Sequence, residues 1–409
     1  MKKRVVITAA GVTSALGYTR QELYRNLLDG KSAIIERSDW LPMMHISKSV
    51  YAGSVMLPQE TIKNIPRHYR RSMGPSAFFA TLSAKDAVQE AALSKETLGN
   101  GRCGCIASST LGSATETYEA AMGIIQGNVF DQSACQFFKI VSHSSAFNVA
   151  NYLGINGVQL SPCSACASSL QSIGLAYEQI LLEKQDLFLA GGSDEATPIV
   201  LESFMLLHAL ADDPEMPFDK LSRPFDAKRS GLLCGEGGGM LVIESLEHAQ
   251  KRGATPLAEI IGYATNCTGS QISQSDHNSI IRCMTLAMED AGIEPKDVDY
   301  VSAHATSTPN GDREEALAIA EVFGNKVPVS SLKGHLGHTM GASGALETAV
   351  VLEMMKNGML IPTKNLETPS EECAGINLLR EPTQKDISIV LKNCIAFGGV
   401  NSTIILKKL

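Results

Sequence analysis

The chain of 409 residues has few aromatics: 5% are Phe, Tyr or Trp, and there is one Trp. It has no excess of basic charge, since 35 Lys and Arg face 43 Asp and Glu for a formal net charge of −8. A general nucleic-acid binder needs a basic footprint, so no nucleic-acid partner is expected. No apolar run approaches the ~20 residues of a membrane-spanning helix. Neither the 35 Gly nor the 16 Pro recur at a fixed period, which removes collagen-like rods. Charged residues are 19% and hydrophobic ones 44%, so bulk disorder is excluded too. A globular chain remains, long for one compact domain at roughly 150 residues per domain. Its length implies two or three domains, or one duplicated fold.

Cysteine is plentiful. Ten residues, at 103, 105, 135, 163, 166, 234, 267, 283, 373 and 394, form no regular framework. A chain this large needs no disulfide staples. The start, Met1-Lys2-Lys3-Arg4 followed by Val5-Val6-Ile7-Thr8-Ala9-Ala10, superficially mimics a signal peptide. Its apolar run is short, β-branched and interrupted by Gly11, so a first core strand fits better. A reducing cytoplasm is the expected home, with most cysteines acting as small buried hydrophobes. Any exceptional cysteine must then be reactive or metal-binding.

The dominant pattern is strand, small-residue turn, helix. Strands are expected at 3–8, 103–107, 158–161, 186–192 and 240–244, with helices at 20–28, 72–93 and 167–183. After the basic break Lys251-Arg252-Gly253 the order restarts. Strands follow at 257–263, 298–303, 327–330, 387–391 and 402–406, with helices at 279–292, 313–323 and 344–357. Two related α/β halves, 1–252 and 253–409, are therefore expected, with buried and largely parallel strands.

Three strand-to-helix turns carry chemistry. The first is Ser161-Pro162-Cys163-Ser164-Ala165-Cys166-Ala167-Ser168-Ser169. A Cys at a helix start meets unpaired N–H groups and the positive end of the dipole, which favours thiolate. Cys163 lies nearer the strand and Cys166 where the helix begins. A C-x-x-C redox pair or half a zinc site are rival readings, but no second C-x-x-C completes a zinc site. The second turn runs from Ala303-His304-Ala305-Thr306-Ser307-Thr308-Pro309 to Glu315. It follows a strand's carboxyl end, where open α/β sheets place ligands. The third is Ser331-Leu332-Lys333-Gly334-His335-Leu336-Gly337-His338, running on to Gly344. Its two His and one Lys lack an acidic or Cys ligand for a metal, and serve better as donors to developing negative charge. A fourth segment, Asn393-Cys394-Ile395-Ala396-Phe397-Gly398-Gly399, reads alone as a glycine-rich hairpin.

The order Cys, His, Lys/His, Phe-Gly-Gly resembles the β-ketoacyl-acyl-carrier-protein synthases, the condensing enzymes of fatty-acid and polyketide synthesis. The likeness spans essentially the whole chain, including Arg223-Pro224-Phe225-Asp226 and Gly235-Glu236-Gly237-Gly238-Gly239. Several motifs in order are far more specific than one glycine-rich loop. The resemblance implies the thiolase-like fold, two related α/β halves in five layers (αβαβα), as a dimer. It implies Cys166 as nucleophile through Ala165-Cys166-Ala167-Ser168-Ser169. It implies His304 and His338 as the two histidines, because only His338 stands correctly before Gly341-Ala342-Ser343-Gly344. Lys333 is the family lysine and Glu315 the buried Glu that pairs with it. Cys163 is then a packing residue and His335 a solvated or structural histidine.

The implied reaction is decarboxylative: an acyl chain on Cys166 condenses with malonyl carrier protein to give 3-oxoacyl carrier protein and CO2. The N–H groups of Cys166 and Phe397 would form an oxyanion hole. Thr306 and Thr308 would bind phosphopantetheine, Phe397 would gate the acyl pocket and Phe204 would line it. No metal or other cofactor is needed, since substrates arrive on the phosphopantetheine of acyl carrier protein. Carrier proteins are acidic, and Lys63, Arg67, Arg70 and Arg71 form the expected basic docking cluster.

Three departures touch access and gating: Ala305 replaces the usual Gly, Ile395-Ala396 replaces Phe-Gly, and the loop 266–274 looks shortened. An active ketosynthase of a type II polyketide or aryl polyene system, paired with a chain-length factor rather than with itself, is therefore the alternative. A degradative thiolase would need a second active-site Cys in the last glycine-rich turn, and Cys394 stands before the gate Phe instead. A non-catalytic chain-length factor typically lacks the nucleophile, so Cys166 speaks against it.

Overall fold

The computed structural model describes residues 3–44, 46, 49–128, 132–269, 272 and 274–409. Part of the loop 266–274, residues 270, 271 and 273, lies outside the described residues, as do Met1 and Lys2. Eleven strands form the main sheet. In chain order they are β1 (Val5–Ser14), β2 (Cys103–Ser108), β3 (Gln159–Leu160), β4 (Leu187–Asp194) and β5 (Gly237–Ser245), then β6 (Ala258–Cys267), β7 (Tyr300–Ser302), β8 (Pro328–Ser330), β9 (Asn377–Leu378), β10 (Ile389–Ala396) and β11 (Val400–Lys407). Across the sheet they run β9-β8-β7-β10-β11-β6-β1-β5-β4-β2-β3.

The duplication is visible in the pairing. β1-β5-β4 are antiparallel neighbours and β4-β2-β3 parallel ones. β6-β11-β10 and β10-β7-β8 repeat the same pattern in the same chain order. The two ladders join where Val5, Val6 and Ile7 of β1 pair with Ile260, Glu259 and Ala258 of β6. Each half is thus mixed, not largely parallel, because the last strand of each half inserts antiparallel beside the first. The strand expected at 158–161 shrinks to an exposed two-residue edge.

Helices cover and separate the two ladders. α1 (Pro75–Glu90) and α2 (Ser144–Leu153) pack on the first half, while α4 (His277–Ala291) and α5 (Pro309–Phe323) pack on the second. α3 (Ser168–Leu181) and α6 (Ser343–Asn357) lie between the halves and touch each other. This gives the five layers. Local rules explain the ends: Pro75 occupies the first turn of α1, and the Asp276 side chain accepts the Ser279 N–H at the start of α4. α4 ends at Gly292 with φ +68°, a left-handed stop suited to Gly. The middle helices can cross closely because Gly344 has no side chain; a Cβ there would meet the Leu170 N at 2.6 Å. α6 is buried over nearly its whole length, which explains its run of Ala, Leu, Val and Met.

Both middle helices start alike. A three-residue 3-10 turn precedes each, Ala165–Ala167 before α3 and Met340–Ala342 before α6. Each turn is entered by a non-Gly residue of positive φ, Ala165 at +46° and Met340 at +47°. Such strain persists only where the surroundings enforce it. These two matched turns bring the chemistry together.

Candidate active site

Cys166 is the middle residue of the first turn and is buried. His338 stands just before the second, and its Nε2 lies 2.8 Å from the Cys166 Sγ. His304, beyond the end of β7, sets its ring edge-on to His338 at 5.2 Å. Three residues from three turns in two halves thus meet at one point. The tautomer of His338 follows from its surroundings. Its Nδ1 accepts the Met340 N–H at 3.3 Å, so the proton sits on Nε2, facing the sulfur. Its Nδ1 also lies 3.2 Å from the Ser343 hydroxyl.

Burial dominates the electrostatics. It holds both imidazoles well below their ordinary range, and the Lys333 and Lys392 cations push them further down. Both histidines are therefore neutral donors rather than imidazolium ions. Burial also pushes the Cys166 thiol up to about 12, against the pull of Lys333. The expectation that the helix start favours thiolate is corrected here: Cys166 is buried, and desolvation outweighs the helix end. The resting pair is thiol and neutral imidazole.

The expected Lys333–Glu315 pair is not formed. Lys333, wholly buried, bonds Glu347 Oε1 on α6 at 2.5 Å. Lys392 on β10 takes the other oxygen, Oε2, at 2.6 Å. Glu315 instead accepts the backbone N–H groups of His304 at 2.8 Å and Ala305 at 2.7 Å. It shapes the histidine turn rather than neutralising the lysine. Sequence reasoning missed Glu347 and Lys392, although a charge in an apolar helix and a Lys in a buried strand were signals. It also missed Asp194 at the end of β4, whose carboxylate accepts the Gly341 N–H at 2.6 Å and the Thr110 hydroxyl at 2.8 Å.

A narrow cavity of about 50 Å³ opens on this cluster. Its lining includes Cys166, His304, His338, Glu315, Phe204, Thr306, Thr308 and Phe397. The Phe204 and Phe397 rings pack at 5.8 Å, with Phe397 partly exposed. The Thr306 and Thr308 hydroxyls lie 3.0 Å apart. The Phe397 turn needs glycine: Gly399 has φ +75°, and a Cβ there would sit 2.2 Å from the Thr268 hydroxyl. His304 Nδ1 is buried without a hydrogen-bond partner among the described residues, as fits a polar atom kept for a ligand.

The donor atoms of Cys166, His304 and His338 fall within 4.8 Å of one another, close enough in principle for a metal. Two buried ammonium groups sharing one carboxylate lie beside them, however, and that field opposes a cation and favours an anion. Cys163 and Cys267 are exposed rather than packing residues. His335 is buried, not solvated, with Nδ1 3.0 Å from the Lys31 carbonyl, so its role is structural. Lys63, Arg67 and Arg71 are exposed and Arg70 half-buried, on two short helices, Gln59–Lys63 and Arg67–Arg70, and the residue that follows. Among the described residues, no helix is long and apolar enough to cross a membrane.

Comparison with known proteins shows the family. The family described as β-ketoacyl synthase, N-terminal domain, matches residues 2–249, and its C-terminal domain matches residues 257–367. A 3-oxoacyl-[acyl-carrier-protein] synthase 1 of Escherichia coli K12 is 37% identical over 100% of this chain and 99% of its own. The crystal structure of a β-ketoacyl synthase from Burkholderia phymatum superposes with a TM-score of 0.93 at 36% identity, covering 100% of both chains. The ishigamide ketosynthase/chain length factor superposes at 0.90 with 28% identity, again over 100% of both. With both domain families matched in order and relatives aligned from end to end, this chain belongs to the β-ketoacyl synthase family.

Proposed function

We propose that this protein is a 3-oxoacyl-acyl-carrier-protein synthase with Cys166, His304 and His338 as its catalytic residues. The reading is carried by one observation: the Cys166 Sγ lies 2.8 Å from His338 Nε2, with the His304 ring beside both at the base of one cavity. In the first half-reaction the Cys166 sulfur attacks the thioester carbonyl of a carrier-bound acyl chain. The sulfur–acyl bond forms, and the phosphopantetheine thiol leaves with the thiol proton. In the second, malonyl carrier protein enters and its C–CO2 bond breaks. CO2 departs and the electron pair flows into the thioester as an enolate. His304 and His338 donate N–H to that enolate oxygen. The enolate carbon attacks the acyl-Cys166 carbonyl, and the Cys166 and Phe397 N–H groups hold the oxyanion. Collapse expels the Cys166 thiolate, which takes up one proton from solvent to restore the resting thiol, and releases 3-oxoacyl carrier protein.

Other residues support these steps. Lys333 biases the site toward negative charge, Glu315 fixes the His304 turn, Thr306 and Thr308 bind the phosphopantetheine arm, and Phe397 with Phe204 gates and lines the acyl pocket. The reaction balances without metal or other cofactor. Acyl carrier protein is the partner, docking on Lys63, Arg67, Arg70 and Arg71, and the protein works in the cytoplasm as a homodimer. The two halves divide after Arg252. The second reading, an active polyketide or polyene ketosynthase paired with a chain-length factor, draws on Ile395-Ala396 and Ala305 at the gate. The higher identity to the E. coli enzyme favours the first.

The test is purified protein, alone, given acyl and malonyl carrier proteins. 3-Oxoacyl product is expected, together with an acyl adduct on Cys166 by mass spectrometry. Product only after adding a chain-length factor selects the second reading, and no adduct on Cys166 refutes both. Reversing the charge of two docking residues should weaken carrier-protein binding; unchanged affinity refutes that surface.

A further inference from the structure

Lys392 is unused by the reaction above, yet it is one of the largest wholly buried side chains in the protein. It stands on β10 among Val390, Leu391 and Cys394, five residues before Phe397. A buried ammonium costs heavily unless it is paired. Its Nζ lies 2.6 Å from Glu347 Oε2, while the Lys333 Nζ lies 2.5 Å from Oε1 of the same carboxylate. It also donates to the Asn393 carbonyl. Two ammonium groups thus share one carboxylate. The other nearby anion, Glu315, holds the N–H groups of His304 and Ala305 and the Asn393 amide, and acts on Lys392 only through space, without an ion pair to it among the described residues. The remaining titratable groups facing the cluster are Tyr300, Cys166 and Cys394, all held protonated by burial.

We propose that Lys392 is a positioning residue for the condensation: a second buried cation which, by sharing Glu347 with Lys333, leaves unneutralised positive charge beside His304 and His338. The inference rests on the condensing-enzyme reading. One lysine on one glutamate would make a neutral pair with little outward field. The second lysine leaves the trio at plus one. That charge disfavours imidazolium, so His338 Nδ1 stays free to accept the Met340 N–H and Nε2 keeps its proton toward the reacting atoms. The same charge favours the negative oxygen that develops when malonyl loses CO2. Both lysines lower the two histidines, in keeping with this role. Lys392 touches no substrate, so its effect belongs in kcat and in the pH profile rather than in KM.

The test uses the full chain and three variants, Lys392→Met, Lys392→Arg and Lys392→Met with Glu347→Gln. Two readouts are taken: malonyl carrier-protein decarboxylation against pH, and the titration of His304 and His338 by NMR on histidine-labelled protein. Lys392→Met should move both histidines, and the acid limb of kcat, upward by roughly one pH unit, as expected for losing one buried unit charge. kcat should fall roughly tenfold, the rate equivalent of one such unit, with KM little changed. Lys392→Arg should keep the wild-type profile. The double variant removes one charge of each sign and restores plus one, so it should recover most of the shift. Unmoved histidines, or a double variant no better than Lys392→Met, would overturn the proposal. If Lys392→Met does not fold, Lys392→Gln removes the same charge while keeping a donor, with the same expectation and the same refutation. Inactive wild type would sink the condensing-enzyme reading, whereas the histidine titration judges Lys392 without turnover.

Discussion

Replacing His338 with Ala isolates the donor function from the fold. The imidazole gives one N–H toward the Cys166 sulfur at 2.8 Å, and in the proposed reaction that N–H turns to the enolate oxygen. Its backbone is held independently. The His338 N–H donates to the Leu233 carbonyl at 2.7 Å, and the Gly235 N–H donates to the His338 carbonyl at 2.8 Å. Three residues on, the Gly341 N–H is fixed to Asp194. The turn should therefore survive the loss of the ring. Losing one preorganised donor to a developing oxyanion costs roughly 10²–10³ in rate, about 2.7–4 kcal/mol. His304 remains as the second donor, so decarboxylation should fall by that factor rather than vanish. The assay is CO2 release from malonyl carrier protein at saturation, with thermal unfolding measured alongside. A variant that unfolds like wild type and decarboxylates within threefold of it would refute the donor role.

Three further outcomes follow from the same geometry. Lys333→Met removes the cation that pulls the Cys166 thiol down against burial, so alkylation of Cys166 by iodoacetamide at pH 8 should slow roughly tenfold, one unit of thiol ionisation; an unchanged rate by mass spectrometry refutes it. Gly344→Ala places a Cβ 2.6 Å from the Leu170 N and should force α3 and α6 apart, costing about 1–3 kcal/mol in urea unfolding; full stability refutes the close crossing. Glu244 is pulled down to about 2, since its bonds to Arg252, His248 and Thr8 overcome the opposing effect of burial. A depressed carboxylate stabilises above its unfolded value near 4.5 and loses that contribution as pH falls toward 2. Glu244→Gln should therefore cost about 3 kcal/mol at pH 7 and flatten that acid window, which urea titrations at several pH values check.

Much of this was legible in the chain because it is local. The helix at 20–28 and the starts of α3 and α6 are read from apolar periodicity and small residues, and the restart after Arg252 shows the duplication. Cys166, His304 and His338 lie on turns, where short motifs carry the signal. What depended on distant contacts was not legible. Glu347 lies 14 residues from Lys333 and on another element, so its pairing is fixed by how α6 docks, and Glu315, the partner that the family resemblance implied, is not the one the lysine meets. The sheet's antiparallel insertions are likewise set by tertiary packing. Cys163 shows the converse: three residues from the buried Cys166, it is exposed, because it lies before the 3-10 turn that carries Cys166 inward.

The matched turns before α3 and α6 also explain why one fold, used twice, presents a single cysteine at this position. The middle position of the first turn is Cys166 and that of the second is Gly341. Gly341 has no room for a side chain: a Cβ would sit 2.5 Å from Asp194 Oδ2, the atom that its N–H bonds. Burial raises Asp194 to about 6, and its ionised form depends on the four donor groups that Ser109, Thr110 and Gly341 supply. The carboxylate from the first half thus clamps the turn of the second. The clamp leaves no room for a side chain at the position that matches Cys166. Chemical asymmetry is built from structural symmetry by one buried carboxylate and one missing Cβ.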